Sequence, residues 1–208
     1  IAIIQYPYVF SVETSELLFD ATGAAQATIP VFCSGTFSYS SGSDNWLTVT
    51  QSNDGLSVSV TDNPYMEDRT TSIVVYSKNN TSLMKTIPIR QKAFVFTADA
   101  EQLHYKAISS TSQTITISCS SGWDITSHED WISCSPEHLE TGAFDQSMTI
   151  SVKDNNTLEE RHGTILLKSR IGGHEKAISV LQNPYIFTVD TDEIQFDAEN
   201  AESVFVHV

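Results

Sequence analysis

Basic residues are scarce in this chain. Its 208 residues include 11 Lys and Arg against 26 Asp and Glu, and its formal net charge is −15. The few cations are scattered and form no basic run. Nucleic acids and anionic membrane surfaces are bound by clustered Lys and Arg, so we predict neither as a partner. The excess of acid is expected to keep an exposed chain in solution.

Long hydrophobic runs and cysteines are also in short supply. No apolar stretch approaches the roughly 20 residues that cross a bilayer, which predicts no membrane insertion in this segment. The three cysteines are Cys33, Cys119 and Cys134, and none has the CxxC or Cys/His spacing of a zinc site. We favour free buried thiols. A Cys119–Cys134 bridge stays open as an alternative and would imply an oxidising compartment.

Motifs for catalysis and for metal binding are missing as well. The six histidines belong to no recurring Ser/His/Asp order, and no Gly-rich phosphate loop is present. Asp62-Asn63 and Asp154-Asn155 offer too few oxygens for calcium and are better explained as Asx turns. We therefore predict that the chain is not an enzyme and has no metal site and no cofactor.

What the chain does contain is a repeat of itself. Phe10-Ser11-Val12-Glu13 returns as Phe96-Thr97-Ala98-Asp99 and again as Phe187-Thr188-Val189-Asp190, at spacings of 86 and then 91 residues. A period of that length is a whole small domain rather than one turn of a solenoid. The offset between matched residues rises from 85 to 92 after Trp131, which predicts an insertion within 134–147 of the second copy.

Apolar residues alternate with polar ones inside each copy, which is the pattern of strands with one buried face. In the first copy this predicts strands near 15–19, 27–33, 36–40, 46–50, 56–61, 70–76 and 84–91. Short strands separated by turn residues indicate an all-β fold of antiparallel β-sandwiches. Pro88 cannot donate to a ladder, so the last strand is expected to lie at a sheet edge or to carry a bulge there.

The repeat divides the chain into four predicted parts. Residues 1–7 are expected to be the last strand of a preceding repeat, 8–92 and 93–184 two β-sandwiches, and 185–208 the first strands of a third, incomplete repeat. The junction at 90–94 holds no Gly/Ser/Pro spacer. We therefore predict an extended, stiff rod with a small interface between the modules.

Three motifs keep the same order in both copies: a Trp that opens a strand, an Asp-Asn pair leading to an Arg, and a closing strand that ends in Gln. They are Trp46-Leu47-Thr48-Val49, Asp62-Asn63 to Arg69 and Ile87 to Gln91, then Trp131-Ile132-Ser133-Cys134, Asp154-Asn155 to Arg161 and Ile178 to Gln182. This order resembles the BACON domain (Bacteroidetes-associated carbohydrate-binding, often N-terminal). The resemblance covers both full repeats and the two end fragments.

The resemblance implies immunoglobulin-like sandwiches in exported or cell-surface proteins of gut Bacteroidetes or in gut phage surface proteins. Such a chain would lie at the cell surface or outside the cell, in the periplasm, or on a virion. The role we favour is a non-catalytic spacer or display scaffold whose partners are neighbouring domains of a longer chain. The alternatives are a carbohydrate-binding module for glycans or mucin, and an adhesion or phage structural component that works through protein contacts.

Three tyrosines are the candidate glycan contacts. Tyr65 follows a proline in a loop, and Tyr76 alternates out of phase with the apolar residues of its strand, so both are expected to face solvent. Tyr39 is the third candidate, although an isoleucine replaces it in the second copy. Sugar rings can stack on exposed aromatic rings, but single exposed tyrosines are common and often have no role.

The tryptophans are expected to be structural. Trp46 and Trp131 recur at the same strand position, and Trp123 replaces a phenylalanine. Large aromatic residues at equivalent strand positions are typical of a core, so we predict that all three are buried. Arg69 and Arg161 open a strand, and we expect them to bind a nearby carboxylate or backbone carbonyl.

Overall fold

The computed structural model describes residues 2–4, 6–196, 198–199 and 202–207. Within these residues the chain forms strands and turns without a helix. The strands of the first half are β1 (Phe10–Ser11), β2 (Leu17–Phe19), β3 (Ala27–Pro30), β4 (Phe32–Cys33), β5 (Phe37–Ser41), β6 (Leu47–Gln51), β7 (Gly55–Val60), β8 (Arg69–Ser77) and β9 (Met84–Gln91). The strands of the second half are β10 (Phe96–Ala98), β11 (Gln102–Tyr105), β12 (Gln113–Cys119), β13 (Trp123–Ser127), β14 (Ile132–Ser135), β15 (His138–Leu139), β16 (Ala143–Val152), β17 (Arg161–Ser169) and β18 (Glu175–Gln182).

Each half contains two main sheets. In the first half a four-stranded sheet has the order β2-β9-β8-β5, a three-stranded sheet has the order β3-β7-β6, and β1 pairs with β4. In the second half the orders are β11-β18-β17-β13-β15 and β10-β12-β16-β14. Pairing is antiparallel except at the second strand of each half, since β2 runs parallel to β9 and β11 runs parallel to β18. The predicted all-β fold with sheets in two layers is confirmed.

Each half has its own hydrophobic core. One cluster of buried residues runs from Phe19 to Ile89 and the other from Phe94 to Val180. Their centres are matched residues, such as Ile73 and Ile165, that are fully buried on the inner faces of β8 and β17. Burying one such side chain stabilises the fold by about 1.5–3 kcal/mol.

The predicted insertion of the second copy forms an extra strand. β15 lies within it and pairs antiparallel with β13, opposite Trp123 and Asp124. The chain then continues into β16, where the pairing with β12 shifts register between Ile117 and Cys119. In the first half, β6 instead turns directly into β7, so within the described part of the chain β5 has β8 as its one paired neighbour in the sheet.

Pro88 accounts for a further difference between the halves. β9 is an inner strand, but its pairing with β2 begins at Ile89, so Pro88 is flanked by β8 alone. In the second half the N–H of Ser179 donates to the carbonyl of Glu101 at 2.9 Å, a bond that Pro88 cannot make in the first. The strand predicted to lie at an edge, β9, is thus an inner strand, and Pro88 lies beyond the part of β9 that pairs with β2.

The cysteines are free thiols in the structure. Cys119 lies on β12 and Cys134 on β14, and β16 separates these two strands. Two strand spacings amount to roughly 10 Å, which exceeds the reach of about 7 Å between the Cα atoms of a disulfide. The predicted free buried thiols are therefore confirmed for Cys119 and Cys134, whereas Cys33 is free but half-buried. The sheet order excludes the alternative bridge.

The two end segments contain no strand among their described residues. At the C-terminal end, the N–H of Asp190 donates to the carbonyl of His207 at 3.2 Å, and the N–H of His207 donates to Oδ1 of Asp190. The same pair of bonds joins Asp99 to Thr116 in the second half. This likeness agrees with a third repeat, and the assignment of residues 1–7 and 185–208 stays a prediction.

Candidate functional site

The repeated motifs of the first copy meet in one hydrogen-bonded cluster, which we call the Gln–Arg node. Gln91, on β9, is fully buried, and its side-chain amide donates to the carbonyls of Asp20, Ala21 and Thr61 at 3.0–3.1 Å. Its Oε1 accepts a bond from Nε of Arg69 at 2.8 Å. The node therefore ties β9 to the segments that follow β2 and β7, which belong to different sheets.

The second copy repeats the bonds of the node glutamine. Gln182 donates to the carbonyls of Lys106, Ala107 and Lys153 at 2.9–3.2 Å and accepts from Nε of Arg161 at 2.8 Å. The Arg161 guanidinium also donates to the carbonyl of Lys153. Arg69 likewise donates to the carbonyls of Thr61 and Asp62. Of the two predicted partners, a carboxylate or a backbone carbonyl, both arginines thus bind the carbonyl.

The Asp-Asn pairs form the predicted Asx turns next to the node. Oδ1 of Asn63 accepts the N–H of Tyr65 at 3.2 Å, and its amide donates to the carbonyls of Glu67 and Lys92 at 2.9 Å. Asn155 makes the corresponding bonds in the second copy. Both asparagines are fully buried, so these side chains hold the turn instead of facing a ligand.

The tryptophans do not all lie inside the core, as the sequence led us to expect. Trp123 is fully buried, but Trp46 and Trp131 are half-buried at the edge of their cores. The guanidinium of Arg69 lies 4.6 Å from the ring centroid of Trp46, and that of Arg161 lies 4.3 Å from the centroid of Trp131. Each indole thus contacts the core on one side and a node arginine on the other. This cation–π contact covers the outer face of the ring, so the ring does not line a cleft.

The three candidate tyrosines lie apart from one another. Tyr65 is 67 % exposed in the loop between β7 and β8. Tyr76 is half-exposed on the outer face of β8, opposite Ser38 and Met84. Tyr39 packs against the core, and its hydroxyl donates to the carbonyl of Val49 at 3.0 Å. Tyr65 and Tyr76 face solvent as expected, and the three rings form no single platform.

The junction between the halves is held on both sides. The backbone N–H of Lys92 donates to the carbonyl of Phe19 at 3.0 Å, and that of Phe94 donates to the carbonyl of Tyr65 at 2.8 Å. The N–H of Ala93 donates to a carboxylate oxygen of Asp68 at 2.7 Å, and that of Val95 to the hydroxyl of Ser120 at 2.9 Å. Four successive backbone donors are therefore bonded, the last of them to the second half.

A carboxylate and a histidine reinforce this junction. Bonds from the Arg90 side chain and then from the Ala93 N–H hold the pKa of Asp68 below its usual value. Nε2 of His174 lies 2.7 Å from the carbonyl oxygen of Pro64, and its ring centroid lies 5.1 Å from that of the buried Phe94. Sequence reasoning missed His174; the one signal was the Gly172-Gly173 pair before it, which the matching turn of the first copy lacks.

A groove of about 400 Å³ lies beside the junction. Its lining comes from both halves and consists of Asp20, Ala21, Thr22, Gly23, Lys92, Ala93, Val95, Ser120, Gly142 and Phe144. Phe144 is 59 % exposed, and the next residue, Asp145, has a left-handed backbone with φ of 56°. Non-glycine residues rarely adopt this conformation, and bulges of this kind redirect neighbouring side chains. The insertion thus presents an aromatic ring to solvent at the rim of the groove.

The same insertion is anchored to the second half by an arginine. Arg170 donates to both carboxylate oxygens of Asp124 on β13, at 2.8 and 2.9 Å, and to Glu140, which follows β15. Hydrogen bonds from this guanidinium lower the pKa of both carboxyl groups. The N–H of Ile125 adds a bond to the carbonyl of Glu137 at 2.9 Å. These contacts fix β15 on the edge of β13.

The described part of the chain offers neither a metal-binding cluster nor a membrane-spanning helix. Its residues contain no group of three or more His, Cys, Asp or Glu that could hold a metal ion. None of its segments is a helix long and apolar enough to cross a membrane.

Comparisons with known proteins agree with this fold. The crystal structure of the I9–I11 tandem from titin covers 88 % of this chain and 68 % of its own, with a TM-score of 0.50 and 8 % identity. Zebrafish RET cadherin-like domains 1 to 4 match at a TM-score of 0.43 and 10 % identity over 86 % of this chain and 51 % of theirs. The titin likeness shows the fold alone: the chain consists of immunoglobulin-like β-sandwiches.

The family is identified by a model that matches twice. The BACON model, described as "Putative binding domain, N-terminal", matches residues 36–92 and 121–183, together more than half of the chain. The chain therefore belongs to the BACON family, and its two matched segments contain the glutamine and the arginine of each Gln–Arg node. A comparison with the curated proteins found no match.

Glycoside hydrolases are among the proteins with similar structures. A Bacteroides ovatus GH5 xyloglucanase in complex with a XXXG heptasaccharide is 25 % identical, with a TM-score of 0.39, over 54 % of this chain and 23 % of its own. An endo-fucoidan hydrolase from glycoside hydrolase family 107 has 28 % of its length covered, at 13 % identity and a TM-score of 0.35. The chain thus spans about a quarter of the length of these hydrolases.

Proposed function

We propose that this chain is a stiff, non-catalytic spacer of tandem BACON domains within a longer exported protein, and that it displays neighbouring domains at a surface. The repeats would be 8–92 and 93–184, with 1–7 belonging to a preceding repeat and 185–208 to a following one. The observation that carries the proposal is the junction, where the backbone donors of residues 92–95 are all bonded. A linker without free donors, closed by a buried Phe94, has few ways to bend.

A distance measurement tests the spacer. Spin labels at Thr81→Cys and Glu159→Cys, in a Cys33→Ser background, lie on exposed loops at the far ends of the two halves. Pulsed electron resonance is expected to give one narrow distance distribution, because the junction holds one geometry. Asp68→Ala should broaden it by removing the acceptor for the Ala93 N–H.

The matched control is Asp130→Ala. Asp130 is an exposed aspartate in a loop of the second half, away from the junction residues, so this variant should leave the distribution unchanged. A distribution in the unmodified chain as broad as that of a flexible linker would refute the spacer.

Glycan binding is the second candidate, and the groove at the junction favours it. The exposed Phe144 ring stands beside the ion pair of Lys92 and Asp20, whose Nζ and Oδ1 lie 2.8 Å apart. A ring for the C–H face of a sugar next to polar groups for its hydroxyls is a general way to bind carbohydrate. The BACON family's description as a binding domain agrees with this candidate.

Titration calorimetry with a panel of neutral plant and mucin-type oligosaccharides tests the second candidate. Phe144→Ala is expected to abolish binding, while Tyr65→Ala and Tyr76→Ala report on the solvent-facing tyrosines in the same experiment. Retention of an oligosaccharide that all three variants leave unaltered would exclude these sites. No heat from any member of the panel would leave the spacer role standing and remove glycan binding.

A further inference from the structure

The two halves differ at one sheet edge. In the second half the edge strand β13 is covered by β15, whereas among the described residues the equivalent strand β5 of the first half is paired on one side only. We propose that the free edge of β5 is a docking site for an extended segment of a partner protein, which adds as an antiparallel strand and carries a leucine followed by an acidic residue. This inference goes beyond the spacer role and does not depend on it.

The backbone groups of β5 are available for such pairing. Ser77, opposite Phe37, gives its N–H to the carbonyl of Leu83, so its backbone faces away from β5. Because alternate residues of an antiparallel strand direct both backbone groups to one neighbour, those of Phe37 and Tyr39 point to the free edge. In the second half the residue matched to Tyr39 is Ile125, whose N–H is bonded to the segment that covers the edge.

A single side chain closes part of the free edge. The amide of Gln51 donates to the carbonyl of Phe37 at 3.1 Å. Gln51 occupies the position of Pro136, where the second copy departs from β14 and crosses to form β15. An exposed glutamine side chain thus replaces a stretch of backbone, and an incoming strand can displace it because Gln51 is free to bond water instead.

The charges around the edge indicate which segment fits. In the second half Arg170 binds Glu140 of the covering segment. The residue equivalent to Arg170 in the first half is Lys78, because the N–H of Lys78 donates to the carbonyl of Thr36 as that of Arg170 donates to the carbonyl of Gly122. Lys78 is exposed, and no ion pair involves it among the described residues. The residue equivalent to Asp124 in the first half is Ser38, which has no carboxylate to compete for Lys78. Lys78 is therefore placed to receive a carboxylate from the partner.

The side chain that precedes this carboxylate is defined by the same comparison. Leu139 lies opposite Trp123 and packs against the core of the second half. In the first half the residue equivalent to Trp123 is the buried Phe37. A leucine in the partner segment would contact that ring from the open side. β5 also lacks Lys, Pro and bulges, which are the features that protect exposed edges from added strands.

The test is a titration of the full 208-residue chain, followed by nuclear magnetic resonance, with a capped peptide of the sequence Ser-Pro-Glu-His-Leu-Glu-Thr, copied from 135–141. The expected result is a saturable shift of the Phe37 to Ser41 amides and slower hydrogen exchange at Tyr39. The Ile125 amide, already bonded, serves as the internal control and should not change. The same peptide with an N-methylated leucine lacks one backbone donor and should not bind.

Charge exchange makes the test specific. Lys78→Ala is expected to weaken binding about two- to fivefold, as is usual for an exposed ion pair. Lys78→Glu should weaken it further, and a peptide with lysine in place of its last glutamate should restore binding to that variant. Equal binding of the N-methylated peptide, shifts confined to other strands, or no saturation by the parent peptide would each overturn the proposal.

Discussion

Replacing Gln91 with leucine should destabilise the first half severely while preserving the volume of the side chain. The variant loses three amide bonds to carbonyls and the bond to Arg69. Neutral bonds contribute about 1 kcal/mol each and a bond to a charged group about 1.5–3 kcal/mol. Two of the three carbonyls retain other donors, from Asn63 and Arg69. We therefore expect a loss of about 3–5 kcal/mol in the free energy of unfolding.

Calorimetry of the thermal transitions measures this loss. For a module of this size, 1 kcal/mol corresponds to a shift of about 4–8 °C, so the transition of the first half should fall by at least about 12 °C. Gln182→Leu is the matched variant and should shift the transition of the second half instead. Gln26→Leu, at an exposed position, is the control and should change the free energy of unfolding by no more than about 0.5 kcal/mol.

Two results would refute this reasoning. A shift of less than about 1 kcal/mol for Gln91→Leu would mean that the node is not what joins the two sheets. A single thermal transition that Gln91→Leu and Gln182→Leu lower equally would also refute it, because two separate cores should unfold in separate transitions.

Two further predictions concern groups whose pKa is shifted. Burial raises the pKa of the Cys134 thiol to about 11 and also raises that of Cys119, so a thiol reagent at about pH 8 should modify Cys33 alone in the native chain and all three in denaturant; reaction of Cys134 as fast as Cys33 would contradict this. Because the pKa of Asp68 lies below its usual 3.8, its bond to the Ala93 N–H is present above that pH and is lost as the pH falls through the lowered pKa. The distribution of spin-label distances should therefore stay narrow at about pH 5 and broaden only below about pH 3.8. Broadening already between about pH 7 and 5 would argue that the bond from the Ala93 N–H to Asp68 does not hold the junction.

The strands were predictable because their buried faces leave a period-two pattern. The seven segments predicted for the first copy all contain strands, and the one between Ala27 and Cys33 is divided into β3 and β4. Pro30 ends β3 at the position of Thr116, whose N–H is bonded to Asp99 in the second copy. A proline cannot make that bond, so the break has a cause that is visible in the sequence.

The half-buried tryptophans were not predictable in the same way. Repetition of Trp46 and Trp131 indicates a shared structural role, which fits a core position and equally fits a ring covered by an arginine. The choice depends on where Arg69 and Arg161 lie, and these residues are far from the tryptophans along the chain. Contacts between distant segments leave no periodic signal.

The sequence alone determined that two similar all-β units follow one another, that their motifs are those of the BACON family, and that the second has an insertion. These features depend on local alternation and on comparing one stretch of chain with another. Only the tertiary structure decided that Gln91 and Gln182 join the sheets, that residues 92–95 are bonded throughout, and that the insertion covers β13 while β5 stays open. Such features depend on which backbone groups find partners, and that is settled when remote segments pack together.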